Sequence, residues 1–206
     1  MRPRIVSCRA GLPPRTAIAL GAALLAVVLV GCGSSSSSSS SSTPSTTKEV
    51  NPAGDIPDNQ AFVAYRPPGQ GYSVKVPEGW SRSNVGGAVV FTDKLNAIRL
   101  ETVPAQAPLT VREARATEVP KLARTVKGFR PGTVSTVTRS AGPATRITYL
   151  ATGSPNPVTG KVTQDAVERY VFFHKGRDVV LTLSGPKTAD NVDPWKLVSN
   201  SVRWSP

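Results

Sequence analysis

From Ala61 to the C-terminus, apolar and polar residues alternate in short runs. Tyr72, Val74 and Val76 fall on one side of an extended chain and Ser73 and Lys75 on the other, which predicts a half-buried strand ended by Pro77. Residues 85–92 and 95–103 predict two more strands joined at Asp93-Lys94; in the second, Ile98 and Leu100 alternate with Arg99 and Glu101. Later runs predict strands at 133–139, 144–152, 162–174 and 178–184, the last pair turning at Lys175-Gly176-Arg177. Val171-Phe172-Phe173 and Val179-Val180-Leu181 are apolar on both faces, so this hairpin belongs at the centre of a sheet with a covering layer on each side.

Two stretches carry helical spacing instead. Thr110-Val111-Arg112-Glu113 fits a capping box, in which the Thr110 hydroxyl accepts from the Glu113 amide and the Glu113 carboxylate reaches back. Val111, Val119, Leu122, Val126 and Phe129 share a face, with Lys121, Arg124 and Lys127 roughly opposite. Pro120 predicts a kink or a second helix start, Arg115 falls out of phase near the apolar side, and Gly128 marks a stop. Asp193-Pro194 predicts a short helix with Asp193 as its N-cap and with Trp195 and Val198 facing the sheet. No internal repeat is visible. The predicted class is α+β.

The first 57 residues follow a different logic. Arg2, Arg4, Arg9 and Arg15 precede an uncharged apolar run over residues 17–30. That run spans only about 21 Å as a helix, short of the ~30 Å hydrocarbon core, and it reads as the core of a signal peptide. Leu29-Val30-Gly31-Cys32 resembles the bacterial lipobox. The resemblance implies cleavage between Gly31 and Cys32 and diacylglyceryl attachment to the Cys32 thiol, which makes residues 1–31 the signal. Residues 32–57, with nine consecutive serines at 34–42 followed by Thr43-Pro44-Ser45-Thr46-Thr47, read as the lipidated cysteine and a flexible tether. Such a tether puts the domain at 58–206 a root-mean-square ~25–30 Å from the lipid. The expected location is the outer face of the cytoplasmic membrane.

Composition narrows the chemistry. The chain has 206 residues, two cysteines, one histidine and a net charge of +12. Removing the signal removes Cys8 and four arginines, leaving +8 and no free thiol, which excludes cysteine catalysis, internal disulfides and most metal clusters. G-x-S-x-G, H-E-x-x-H and P-loop patterns are absent. His174 stands at a strand end beside a turn, where a local partner is the expectation. No catalytic residue, metal or cofactor is expected, and an exported chain makes nucleic acid a poor partner for its basic charge. Trp80, Trp195 and Trp204, with Tyr72 or Tyr65, either line a ligand groove or plug the core. Lys121, Arg124 and Lys127 form either an anionic-surface contact or a solvated face.

Gly71-Tyr72-Ser73-Val74-Lys75-Val76-Pro77-Glu78-Gly79-Trp80 resembles the opening of PsbP-like domains. The closing part is similar too: Arg169-Tyr170-Val171-Phe172-Phe173, a tight turn, Val179-Val180-Leu181-Thr182-Leu183-Ser184, then Trp195 and Ser201-Val202-Arg203-Trp204. The resemblance implies an α/β/α sandwich, a central antiparallel sheet with helices on both faces. With a lipobox, it points to lipoproteins of the LpqN/LpqT type. The expected function is a non-enzymatic binding or assembly module at the cell envelope, with an envelope protein, a lipid or a wall polymer as partner. The alternative is a carrier or sensor of a small apolar or lipidic ligand held between sheet and helix. No functional residue transfers from the family, because the fold serves unrelated tasks.

Overall fold

The computed structural model describes residues 53–156 and 159–206; the signal, Gly31, Cys32 and the serine run lie outside them. Ten strands form two antiparallel sheets: β1 (Phe62–Tyr65), β2 (Tyr72–Pro77), β3 (Ser81–Val85), β4 (Ala88–Asp93), β5 (Asn96–Pro104), β6 (Arg130–Arg139), β7 (Gly142–Pro155), β8 (Val162–His174), β9 (Arg177–Pro186) and β10 (Arg203–Trp204). The larger sheet has seven strands in the order β3-β4-β5-β9-β8-β7-β6, and the smaller three in the order β1-β2-β10. The doubly apolar hairpin β8–β9 sits inside the larger sheet, flanked by β5 and β7. Its two-residue turn puts both Lys175 (φ 47°) and Gly176 (φ 79°) in the left-handed region, the geometry that matches strand twist.

Buried residues of the larger sheet belong to two cores. In one, Phe91, Ile98, Leu100, Tyr170, Phe172, Leu181 and Leu183 pack with Tyr72, Val74 and Val76 of β2 and with Trp195 and Val198 of the helix α3 (Val192–Asn200). In the other, Ile147, Tyr149 and Val167 pack against Ala114 and Leu122 of a helical segment. That segment comprises α1 (Val111–Glu113), a π-helical turn (Ala114–Glu118) and α2 (Val119–Thr125). The protein is thus built mostly of antiparallel sheet with short helices. Among the described residues no helix is long and apolar enough to cross a membrane.

Three local expectations are corrected. Residues 85–92 are not one strand, because Gly86 (φ 56°) and Gly87 (φ 80°) form a two-residue turn and Val85 pairs with Ala88 across it. Pro120 does mark a second helix start: it stands in the first turn of α2, just after the wider π turn. Asp193 is not the cap of α3. Asn191 holds that position with its side chain engaged elsewhere, and Asp193 lies exposed in the first turn. Finally, residues 54–57 are not loose tether, since Ile56 is buried in the first core. The capping box, by contrast, is formed as expected: Glu113 N donates to Thr110 Oγ1 at 3.2 Å and Thr110 N to Glu113 Oε2 at 3.0 Å.

Asn191 is what fastens the start of the domain. Its Oδ1 accepts from Ile56 N at 2.9 Å, and its Nδ2 donates to Gly54 O and to Asn96 Oδ1, each at 3.0 Å. Asn96 Nδ2 donates to the same Gly54 carbonyl at 2.7 Å. Both amides are buried, so a truncated partner leaves unsatisfied groups where water does not reach. Asn191→Ala should cost about 2–4 kcal/mol, read by denaturant unfolding as a lower midpoint at unchanged slope.

Candidate binding site

Between the small sheet and the β3–β5 end of the large one lies a cleft of about 300 Å³. Its position follows from strand pairing. Register Tyr65↔Val74 places Tyr65 and Tyr72 near the Pro67–Gly71 connection, and the fully exposed strand β3 brings Arg82 and Asn84 to the opposite wall. Leu100 and Thr102 of β5 form the floor with Val89 of β4. The Arg82 guanidinium lies 5.7 Å from the Tyr65 ring centroid, within cation–π range, and Tyr65 stands edge-on to Phe91 at 5.0 Å. Tyr72 is buried, and burial pushes its phenol above the ordinary tyrosine range, partly offset by a hydrogen bond with Thr102. One guanidinium, the amides of Gln70 and Asn84 and the two tyrosines therefore line the cleft. That set offers hydrogen-bond donors and one positive charge.

The three tryptophans are placed differently. Trp195 is buried in the first core, and Trp80 and Trp204 are half-buried against it. Trp204 Nε1 donates to Ala141 O at 2.9 Å, and its ring stacks on His174 at 4.4 Å with a 7° tilt, giving the histidine its local partner. Of the expected groove residues, Tyr72 and Tyr65 line the cleft together, whereas no tryptophan contributes to it. Lys121, Arg124 and Lys127 are all exposed on α2 and the turn after it.

A charged cluster between the helical segment and the large sheet had no signal in the alternation. Arg169 of β8 donates through Nη1 to Thr182 Oγ1 at 3.1 Å and Glu101 Oε2 at 3.4 Å, and its Nη2 lies 3.7 Å from Glu118 Oε2 on the π turn. Arg99 adds a second contact to Glu101 at 2.9 Å. Burial raises Glu101, but the Arg99 hydrogen bond and the two guanidinium charges outweigh it, so the net shift is downward. Asp178 lines the same small cavity, of about 140 Å³, with Glu118, Lys121 and Val180. Its Oδ1 is buried without a hydrogen-bond partner, and burial together with the Glu118 charge pushes the carboxyl up to about 6. Arg99 and Glu101 alternate with apolar neighbours and so read as solvent-facing; their covering partners come from residues far along the chain. Among the described residues no three His, Cys, Asp or Glu side chains group as metal ligands would.

No family model matches the chain, and no curated protein matches it in sequence. Similar solved structures include cyanobacterial PsbP from Synechocystis, at 16% identity and a TM-score of 0.49 over 76% of this chain and 95% of that one. LpqN of Mycobacterium tuberculosis, described as involved in cell envelope biogenesis, is similar at 15% identity and a TM-score of 0.42 over 72% and 93%. A Bacteroides thetaiotaomicron protein is similar at 12% identity and a TM-score of 0.46; the match covers 69% of this chain and only about half, 48%, of that longer one. Likenesses of this size say nothing about ligand or partner.

Asp178 supplies a pH test. A carboxyl raised to about 6 from the ordinary 3.8 favours the fold when protonated. That contribution is complete below about pH 4 and is lost as pH rises through about 6. Asp178→Asn cannot ionise, so its melting temperature relative to the native protein should rise between about pH 4 and pH 7, as thermal melts across that range would show.

Proposed function

We propose that this chain is a membrane-anchored extracytoplasmic lipoprotein that binds rather than transforms its ligand. In this reading Cys32 carries the anchor, residues 33–52 form the leash, and the domain is a PsbP-like α/β/α sandwich held at the outer face of the cytoplasmic membrane. The order of elements and the Gly71–Trp80 and β8–β9 segments support the family reading. The observation that carries the binding role is the Arg82–Tyr65–Tyr72 cleft, whose polar lining is a guanidinium, amides and hydroxyls against aromatic and proline walls. These groups recognise a small polar or anionic moiety, either a free molecule or the exposed part of an envelope component. Removing the guanidinium removes the one cation of that lining.

A second reading has its own support. A cleft of about 450 Å³ at the start of the helical segment is lined by Pro108, Leu109, Val111, Ala144, Val171 and Phe173, among others. Its apolar walls suit a carrier or sensor of an acyl or similarly apolar ligand, held between helix and sheet as expected though away from the tryptophans.

Native mass spectrometry of the domain released from membranes, together with ligand-induced melting shifts, separates these readings. The binding-module reading expects polar or anionic envelope fragments to raise the melting temperature, and Arg82→Ala to abolish most of that rise at unchanged basal stability. A co-purifying lipid whose retention is insensitive to Arg82→Ala but lost in Val171→Asp would favour the carrier. A turnover abolished by one side-chain substitution would overturn both.

A further inference from the structure

The helical segment concentrates charge in a way that the rest of the domain does not. Residues 111–130 carry six cations, Arg112, Arg115, Lys121, Arg124, Lys127 and Arg130, against Glu113 and Glu118, a net of +4 in twenty residues. The remaining described residues carry fourteen cations against ten acids, the same +4 spread over a far longer stretch. All six cations of the segment are exposed.

Arg130 belongs to β6 and Arg115 Nη2 donates to Val134 O at 3.4 Å; helix geometry exposes the others on the segment. Four-residue spacing advances about 40° per step on an α-helix, so a long inward row drifts off the core. The wider π turn sets that drift back and keeps Ala114 and Leu122 buried with Glu118 between them on the sheet side. Glu118 is thereby turned toward Arg169, with its side chain only 22% exposed, while Glu113 is committed to the capping box at Thr110. Glu118 also lies 3.9 Å from Lys121 Nζ, so one acid partly offsets the row, which keeps its excess of positive charge. What remains facing solvent is predominantly positive, with Glu113 as its one exposed acid and with Ala116, Thr117, Ala123 and Thr125 between the cations.

We propose that this outward side of the α1–π–α2 segment is a docking surface for anionic phospholipid headgroups. It rests on the proposed membrane location for its setting: a leash that holds the domain tens of ångströms from a bilayer turns a weak, multi-charge attraction into a persistent one. Charge complementarity selects the partner. Lysine and arginine near an anionic bilayer each add attraction that falls off within a Debye length, so a local excess of positive charge orients the domain where scattered charges cannot. The Arg82 cleft stands apart from this surface, with no residue shared between them.

The test needs no anchor, and so it stands or falls separately from the lipidation reading. The compact unit Thr47–Pro206 contains both cores and can be assayed directly for co-sedimentation with vesicles. It should sediment with phosphatidylcholine vesicles containing phosphatidylglycerol and not with phosphatidylcholine alone, and added salt should release it. Lys121→Glu/Arg124→Glu/Lys127→Glu should weaken binding at least about tenfold. A charge-matched control, Lys75→Glu/Lys187→Glu/Lys196→Glu, alters exposed cations elsewhere and should change it by less than about threefold. Far-ultraviolet dichroism and melting would confirm that both variants are folded. Equal weakening by the two triples assigns binding to net charge and overturns the proposal. So does the absence of binding to phosphatidylglycerol vesicles at low salt, including the case in which only a wall polymer or a protein is captured.

Discussion

A hairpin apolar on both sides cannot lie on a surface, and the rest of the domain is arranged around that constraint. Val179, Leu181 and Leu183 point one way from β9 and Val180 the other, and β8 does the same with Tyr170 and Phe172 against Val171. The hairpin's residues enter two buried clusters, one shared with the small sheet and α3 and one with the helical segment. Their edges do not meet the sheet everywhere. The openings left at those edges are the clefts, one beside β2 and β3 and others beside the helical segment.

Both cores carry charge beside their apolar residues. On the side of β2 and α3, Glu168 joins Arg146 and Tyr170, Arg139 reaches Tyr170 and Ser199, and the buried Asn191–Asn96 pair fixes the margin. The helix side carries Arg99, Glu101, Arg169 and Asp178 among its apolar residues, and Glu118 descends onto them from the π turn. Such partly buried charge networks bring less net stability than a hydrocarbon layer but fix where a helix sits. Here the register they fix is the one that leaves the cations of the helical segment exposed.

Much of the architecture was legible because it rests on local periodicity. Strand β8 ends where alternation ends, at Val162 and His174, and the Thr110–Glu113 cap is written in four consecutive residues. The misreadings arose where one feature allows two geometries. Val85-Gly86-Gly87-Ala88 continues an apolar run, yet its glycines permit the tight turn that the chain takes. Asp193 precedes a proline, as caps do, but Asn191 can reach Gly54, Ile56 and Asn96 only from the position it holds. The cleft was half legible. Tyr72 marked it, whereas Arg82 on a strand with no apolar side gave no periodic signal. The Glu101–Arg169–Glu118 cluster joins residues from three distant segments, and alternation carries no information about such pairings.

The central claim is that lipid on one sulfur atom holds a binding domain beside a membrane, and mass spectrometry of the N-terminal peptide from membrane-extracted protein tests it most directly. The account predicts a mature chain beginning at Cys32 with a diacylglyceryl adduct, and a Cys32→Ser chain that is not processed at that bond. A chain that leaves the membrane fraction in dilute buffer with an unmodified Cys32 still joined to Gly31 would contradict it.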